Sequence, residues 1–278
     1  MMRKVYPILL TVAGSDCSGG AGILADVKTA CALGVYAASV VTAVTSQDSR
    51  GFFRSHVVSP EVVEEQLRTV LSDLRPNVVK IGMLGSEENV RTVARTLRDL
   101  CHAPVVVDPV MGSTSGGRML DESGVAAMIE ELFPLSTVVT PNAPEAEALS
   151  GCRVRTVEEA RLAACRLQTC GPEAVLVTGG HLPGEEVTDV LCAGLNDVVD
   201  FHTPRIATRN LHGTGCTLSS AIACMLAMGH PVKKAVGCAI SYMHNAIRAG
   251  ADVDFGFGAG PVNHGYDPVP MHICELKY

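Results

Sequence analysis

The sequence predicts an α/β fold of three layers, a mostly parallel central sheet with helices on both faces, and three observations lead there. Short β-branched runs alternate with amphipathic runs for most of the length, the pattern of strands joined by helical crossovers. The segments at the strand exits are polar or glycine-rich in one case after another, as expected where a parallel sheet gathers its ligand-binding loops. The chain has 278 residues, 47% of them hydrophobic, and a mean hydropathy of +0.26, enough to bury a large core. No linker, internal repeat or low-complexity tract divides it, so residues 1–278 are expected to form one domain.

The elements run in order along the chain. "ILLTVA" (8–13) reads as a strand entering a glycine turn, and "ASVVTAVTS" (38–46) as the next strand. A helix begins after Ser59, with Pro60 at its first position and Glu61 beside it. "VVKIGM" (78–83) leads to a helix after Ser86, where Glu87 and Glu88 oppose the helix dipole. "VVVDPV" (105–110) and "STVVT" (136–140) are further strands, the second running into "PNAPEAE" and a helix. Thr156 and Glu159 have capping-box spacing ahead of a helix that stops at Gly171-Pro172. "AVLVTG" (174–179) completes the strands linked by crossovers. "VTDVLCAG" and "DVVDFHTPRI" read as a hairpin or antiparallel edge around Gly194 and Asn196. Next comes a helix beginning near Cys216, with Leu218, Ala221, Ile222, Met225 and Leu226 on one core-facing side, and then a long helix from about Val232 to Gly250.

Composition excludes several function classes. A net charge of −7 with no cluster of Lys and Arg argues against nucleic-acid binding. The eleven cysteines are scattered, odd in number and without a Cys-x-x-Cys pair, so they read as reduced thiols of a cytoplasmic protein. "MMRKVYPILLTVAG" has the charge and apolar run of a short signal peptide, but "SDCSGG" after it lacks a cleavage pattern. No apolar stretch approaches the ~18 residues of a membrane span, so no membrane partner is expected.

The chemistry gathers at the strand exits "GSDCSGGAG", "SQD", "LGS", "PVMGSTSGG", "PNAPEAE" and "GGH". Gly20, Gly22 and Ala25 match a loosened dinucleotide fingerprint, and with Asp48 at a strand end they raise a nicotinamide-dependent oxidoreductase as an alternative. Against it, Ser15 to Gly19 separate the strand from the glycines. Asp26 is a candidate acceptor for a polar ligand, or an acid favourable near a helix start. Asp108, Asn142 and Glu145 offer hard oxygen atoms suited to Mg²⁺, with Asp108 and Glu145 as the carboxylate ligands. "TGGH" brings Gly179 and Gly180 amides toward a nucleotide, and its His181 reads as structural.

"RNLHGTGCTLSS" places two glycines and a cysteine at a helix mouth, where unpaired N–H groups and the helix dipole attract an anion. A thiol there loses its proton more readily than usual, although a tight turn with a small buried cysteine fits the fragment as well. Phosphoryl transfer needs a phosphate cradle, a metal and a group that positions or deprotonates the attacking hydroxyl. Gly213, Thr214 and Gly215 would be the cradle, with Cys216 beside the nucleophile.

Together, "TVAGSDCSGGAGILADVKTACALGVYAASVVTAVTSQD", "KIGML", "VDPVM", "TPNAPEAEAL", "TGGH" and "HGTGCTLSSAIA" resemble the hydroxymethylpyrimidine/phosphomethylpyrimidine kinases of thiamine biosynthesis, in the ribokinase-like superfamily. The resemblance runs in order from about Pro7 to Gly265. It implies phosphorylation of 4-amino-5-hydroxymethyl-2-methylpyrimidine, and then of its monophosphate, with ATP and Mg²⁺. It also implies a pyrimidine pocket at Gly14, Asp26, Gln47, Met83 and Val110, and nucleotide contacts at Asn142, Thr178, Gly179 and Gly180. Most ribokinase-like sugar kinases carry Asp where this chain has Cys216, and the pyrimidine kinases are similar to this chain in having Cys. Thr178 and Thr114 stand where many members have Lys, which shifts phosphate binding toward Mg²⁺, amides and hydroxyls. The glycine-rich "GSTSGG" (112–117) is the lid candidate, and a homodimer is implied. Two other readings are a pyridoxal or pyridoxine kinase of the same fold and a non-catalytic pyrimidine sensor.

Overall fold

A computed structural model describes residues 3–112, 119–194 and 197–276. Strand β1 (Arg3–Val5) pairs antiparallel with Cys274–Leu276, here β11, in a small ribbon. The large sheet contains β2 (Ile8–Asp16), β3 (Tyr36–Asp48), β4 (Gly51–Val57), β5 (Val78–Ile81) and β6 (Val105–Val107). It continues with β7 (Val138–Val139), β8 (Ala174–Val177), β9 (Glu186–Cys192) and β10 (Val198–Pro204). Among the described residues its spatial order is β10-β9-β8-β7-β6-β5-β2-β3-β4. From β8 through β3 neighbouring strands are parallel, while β9, β10 and β4 add antiparallel edges.

The expected hairpin is β9 with β10. Strand β4 was not anticipated: the Asp48 carboxylate accepts the Arg50 N–H at 2.8 Å and pairs with its guanidinium, folding the chain back along β3. Strands β6 and β7 end earlier than their apolar runs suggest. Pro109 and Pro141 stand within two residues of those ends and cannot donate to a ladder.

Alternation within each strand builds two cores. Val79, Val105, Val107, Val139 and Val175 face one layer, formed by α2 (Pro60–Asp73), α3 (Glu87–Leu100), α4 (Glu122–Ala127), α5 (Ala143–Ser150) and α6 (Val157–Gln168). Val78, Val106, Val138 and Leu176 face the opposite layer, formed by α1 (Gly22–Ala32), α7 (Thr214–Ala227) and α8 (Val232–Gly250). Both faces are therefore covered, as a parallel sheet requires. The Thr156–Glu159 capping box is present, and Asn142 forms another with Glu145. On α7 the expected core side is narrower at its far end, where Met225 and Leu226 are only partly buried, whereas Thr217 to Cys224 are buried throughout.

Strand order reverses at β2, whose neighbours are β3 on one side and β5 on the other. Loops leaving β2 and β5 separate there and open a crevice at the carboxyl ends of the strands. The α7 N-terminus faces that edge: a Cβ added at Gly215 would lie 3.4 Å from Asp108 Oδ2, just past β6.

Candidate active site

A cavity of about 840 Å³ runs along this edge, a volume suited to small-molecule ligands. Gly14, Gln47, Met83 and Val110 line it near β2, β3 and β5. Asn142, Thr178 and Gly180 line it beyond β7 and β8, and Gly213, Thr214, Gly215 and Cys216 form part of the wall with Asp108 and Glu145. Since β3 and β8 are five strand steps apart, the cavity ends are separated by about 24 Å across the sheet. Asp108 leaves a strand between them.

The helix mouth owes its shape to Gly213, which caps α7 at φ +80°. An added Cβ there would lie 1.9 Å from the Gly20 carbonyl oxygen, so only glycine fits both the backbone angle and the contact. The first intrahelical bond runs from the Thr217 N–H to the Gly213 carbonyl at 2.9 Å. Thr214 donates its N–H to Leu211 at 3.3 Å, so its amide is already engaged. Helical geometry leaves the Gly215 and Cys216 N–H groups without intrahelical acceptors, so the amides open to a ligand reach one residue beyond the expected Gly-Thr-Gly.

Four expectations change. Asp26 does not line the cavity: it is fully buried below the floor, where Lys80 Nζ lies 2.9 and 3.0 Å from its two oxygens. Thr11 and Ser220 hydroxyls also donate to it, at 2.6 and 2.7 Å, so no acceptor remains for a substrate. Gly179 does not offer its amide either, because its N–H donates to Asp189 at 2.8 Å and an added Cβ would lie 2.0 Å from the Thr188 carbonyl. Thr214 is the third. Finally, the Cys216 thiol is not readily ionised: it is half-buried and enclosed by protein, and desolvation pushes it up to about 12 against the opposing pull of Lys80. "GSTSGG" from residue 113 onward, including Thr114, and the turn residue Asn196 lie outside the described residues.

The electrostatics single out the acidic groups. Burial raises Asp108 to about 6, despite Lys80, and its Oδ2 accepts the Ser219 hydroxyl at 3.3 Å. Burial and then Asp108 itself raise Glu145 to about 8. Glu145 Oε2 accepts the Asn142 N–H at 2.9 Å, leaving Oε1 outside that capping bond. Two carboxylates that resist ionising beside one another fit a divalent cation, whose charge offsets both. Among the described residues no group of three or more His, Cys, Asp or Glu side chains stands where it could hold a metal ion.

Sequence reasoning passed over several residues. Asp16 accepts the Ser18 N–H and hydroxyl, both at 2.8 Å, and lies 2.8 Å from His212 Nε2. Burial works to raise it, but hydrogen bonds from His212 and Ser18 prevail and hold it at about 2, so His212 Nε2–H donates to an ionised carboxylate. The clue was an Asp directly before a Cys-Ser-Gly-Gly turn, a residue that bonds its own downstream backbone two positions on. Lys80 was legible as the single charge within "VVKIGM". Arg205, also in the cavity wall, donates to the carbonyls of Gly180, Leu182 and Gly184 and so holds the loop after β8; its backbone targets leave no pattern in sequence.

Known proteins resemble this chain in sequence and fold. A family model described as phosphomethylpyrimidine kinase matches residues 16–263. The chain is 49% identical over 259 residues to the hydroxymethylpyrimidine/phosphomethylpyrimidine kinase of Rhizobium meliloti (strain 1021), covering 92% of this chain and 96% of that one. A phosphomethylpyrimidine kinase structure from Clostridium difficile 630 is similar at a TM-score of 0.76 and 38% identity, covering 86% of this chain and 99% of that one. An ADP complex of Bacillus subtilis pyridoxal kinase is similar at a TM-score of 0.86 and 33% identity, over 94% and 98% of the two chains. With the family model spanning residues 16–263 and relatives 38–49% identical over most of the length, the chain belongs to the phosphomethylpyrimidine kinase family.

Proposed function

We propose that this chain, working as one kinase domain over residues 1–278, transfers the terminal phosphoryl group of ATP to 4-amino-5-hydroxymethyl-2-methylpyrimidine. It then phosphorylates the monophosphate to the diphosphate. The observation that carries this reading is the α7 mouth, which stands between a ring-sized apolar and amide pocket and a polar nucleotide end in one cavity. At the first end Gln47 can bond the aminopyrimidine edge, and Met83 and Val110 can pack against the ring. At the other end Asn142, Thr178 and Gly180 face the nucleotide.

The chain's own groups do most of the electrostatic work. Gly215 and Cys216 N–H groups and the α7 dipole hold the transferring phosphoryl oxygens. Asp108 and Glu145 would hold Mg²⁺, which offsets phosphate charge when bound. Cys216 receives the hydroxyl proton in its thiolate form, a minor species at neutral pH, so turnover should rise as the medium becomes alkaline.

The test is product mass after incubation with the pyrimidine alcohol and Mg-ATP, which counts zero, one or two added phosphates. Cys216→Ala is expected to lower turnover by at least ~10²-fold with little change in pyrimidine affinity; near-normal turnover would show that the thiol only shapes the pocket. The likeness to a pyridoxal kinase supports a second reading, and faster turnover of pyridoxal than of the pyrimidine would put it first. The main reading also includes a cytoplasmic location and a homodimer, for which exposed Val44 and Phe53 on the β3–β4 edge offer apolar surface. Among the described residues no helix is long and apolar enough to cross a membrane.

A further inference from the structure

Lys80 and Asp26 are charged residues with completely buried side chains, and neither lines the cavity. Such a pair gains little stability over well-packed apolar residues, because each charge loses its water. Its position explains more. Lys80 stands in β5, level with Thr11 of β2 and Val106 of β6, in the strand pair where the sheet order reverses. Its two neighbours in the cluster, Thr11 and Ser220, both donate to Asp26, and Ser220 lies one turn along α7 from Cys216. The preceding residue, Ser219, has its hydroxyl 2.8 Å from the Gly215 carbonyl of its own helix and 3.3 Å from Asp108 Oδ2. The second turn of α7 is therefore fastened from below to the ion pair through Ser220, beside a Ser219 hydroxyl that lies near Asp108.

The pair is also oriented. Lys80 is the member of the pair in the sheet, level with Val106 two residues before Asp108, and it draws both Cys216 and Asp108 toward ionisation, whereas Asp26 is the member that holds Ser220. We infer that Lys80, held in place by Asp26, is a positioning residue for phosphoryl transfer: its buried ammonium group supplies fixed positive charge beneath Cys216 and Asp108, while Asp26 sets the register of α7 through Ser220. This role rests on the kinase reading above. A cation fixed in a dry site acts without solvent reorganising around it, which makes it effective where negative charge gathers.

Lys80→Met, Asp26→Asn and the double variant K80M/D26N, compared with the unaltered enzyme, separate charge from packing. Lys80→Met strands a buried carboxylate and should lower Tm, whereas K80M/D26N removes both charges, keeps one oxygen to accept from one of the Thr11 and Ser220 hydroxyls while its NH₂ donates to the other, and should regain Tm. Turnover should not track Tm: kcat of the double variant stays about tenfold to a hundredfold low. Its KM for the pyrimidine alcohol should move less than about threefold, because the ring contacts are untouched. Alkylation of Cys216 by iodoacetamide without substrates, read by peptide mass, should slow several-fold in the double variant. Recovery of kcat along with Tm would reduce the pair to a packing device, and an unchanged alkylation rate would equally overturn the inference. The alkylation measurement needs no substrate, so it stands apart from the kinase reading, which fails separately if the unaltered enzyme transfers no phosphate to the pyrimidine.

Discussion

Two glycine turns face the same cavity and use glycine for different ends. Before α7, Gly213 adopts a left-handed conformation against the Gly20 carbonyl, and the next turn presents N–H groups to the cavity. After β8, Gly179 packs against the Thr188 carbonyl and gives its N–H to Asp189. One turn is a donor array and the other a close-packed hinge between strands. The motif "TGGH" looks as much like a phosphate loop as "HGTGC" does. The difference lies in where the amides go, and that depends on residues ten or more positions away.

The contrast can be broken experimentally, first at Gly213. Gly213→Ala forces a Cβ into the Gly20 carbonyl and disfavours φ +80°, so the α7 mouth should be displaced and kcat should fall by at least ~10²-fold, the scale of a lost anion-stabilising donor. Steady-state kinetics on folded protein, checked by circular dichroism, decide this; activity near normal would mean the mouth does not hold the phosphoryl group.

Gly179→Ala comes next. Its clash with Thr188 should cost about 3 kcal/mol of stability, read from denaturant unfolding, while kcat of the folded fraction stays within about threefold. A collapse of kcat without loss of stability would make Gly179 a donor after all.

Asp189→Asn should have the smallest effect and the opposite sign. Burial raises Asp189 to about 6 in the folded protein, above its ordinary 3.8. Its contribution is thus most favourable below pH about 4 and is lost as pH rises through about 6. Asn keeps an acceptor for the Gly179 N–H without the charge, so stability should rise by about 1–2 kcal/mol at neutral pH and remain unchanged near pH 4. Thermal unfolding at the two pH values checks this.

Much of the fold was legible because parallel strands buried on both faces leave uninterrupted β-branched runs, and because Ser86, Asn142 and Thr156 mark helix starts with side chains that cap locally. β4 was hidden because its turn depends on the Asp48–Arg50 pairing and its strand carries mixed exposed residues. In the site, residues whose backbone lies at a strand exit were found, since chain direction alone brings them to the edge. Asp26 was misplaced because its side chain turns toward Lys80, 54 positions away, and long-range pairing of that kind leaves no local pattern. Cys216 was correctly placed at the helix mouth, but its ionisation was misjudged because desolvation outweighs the nearby cation.

The position of Gly213 also bears on how the enzyme comes into being. It is wedged between the Gly20 carbonyl and the His264 ring, whose Nδ1 meets the Thr217 hydroxyl at 2.7 Å, and the His212 N–H reaches Gly260. Contacts from near both ends of the sequence thus complete one turn in its last third. During synthesis the sheet strands emerge first, and this turn gains its last contacts only once residue 264 has left the ribosome. A chain that ends before residue 264 would therefore lack the contacts that close the α7 mouth, so the turn is completed late, by the last part of the chain to be made.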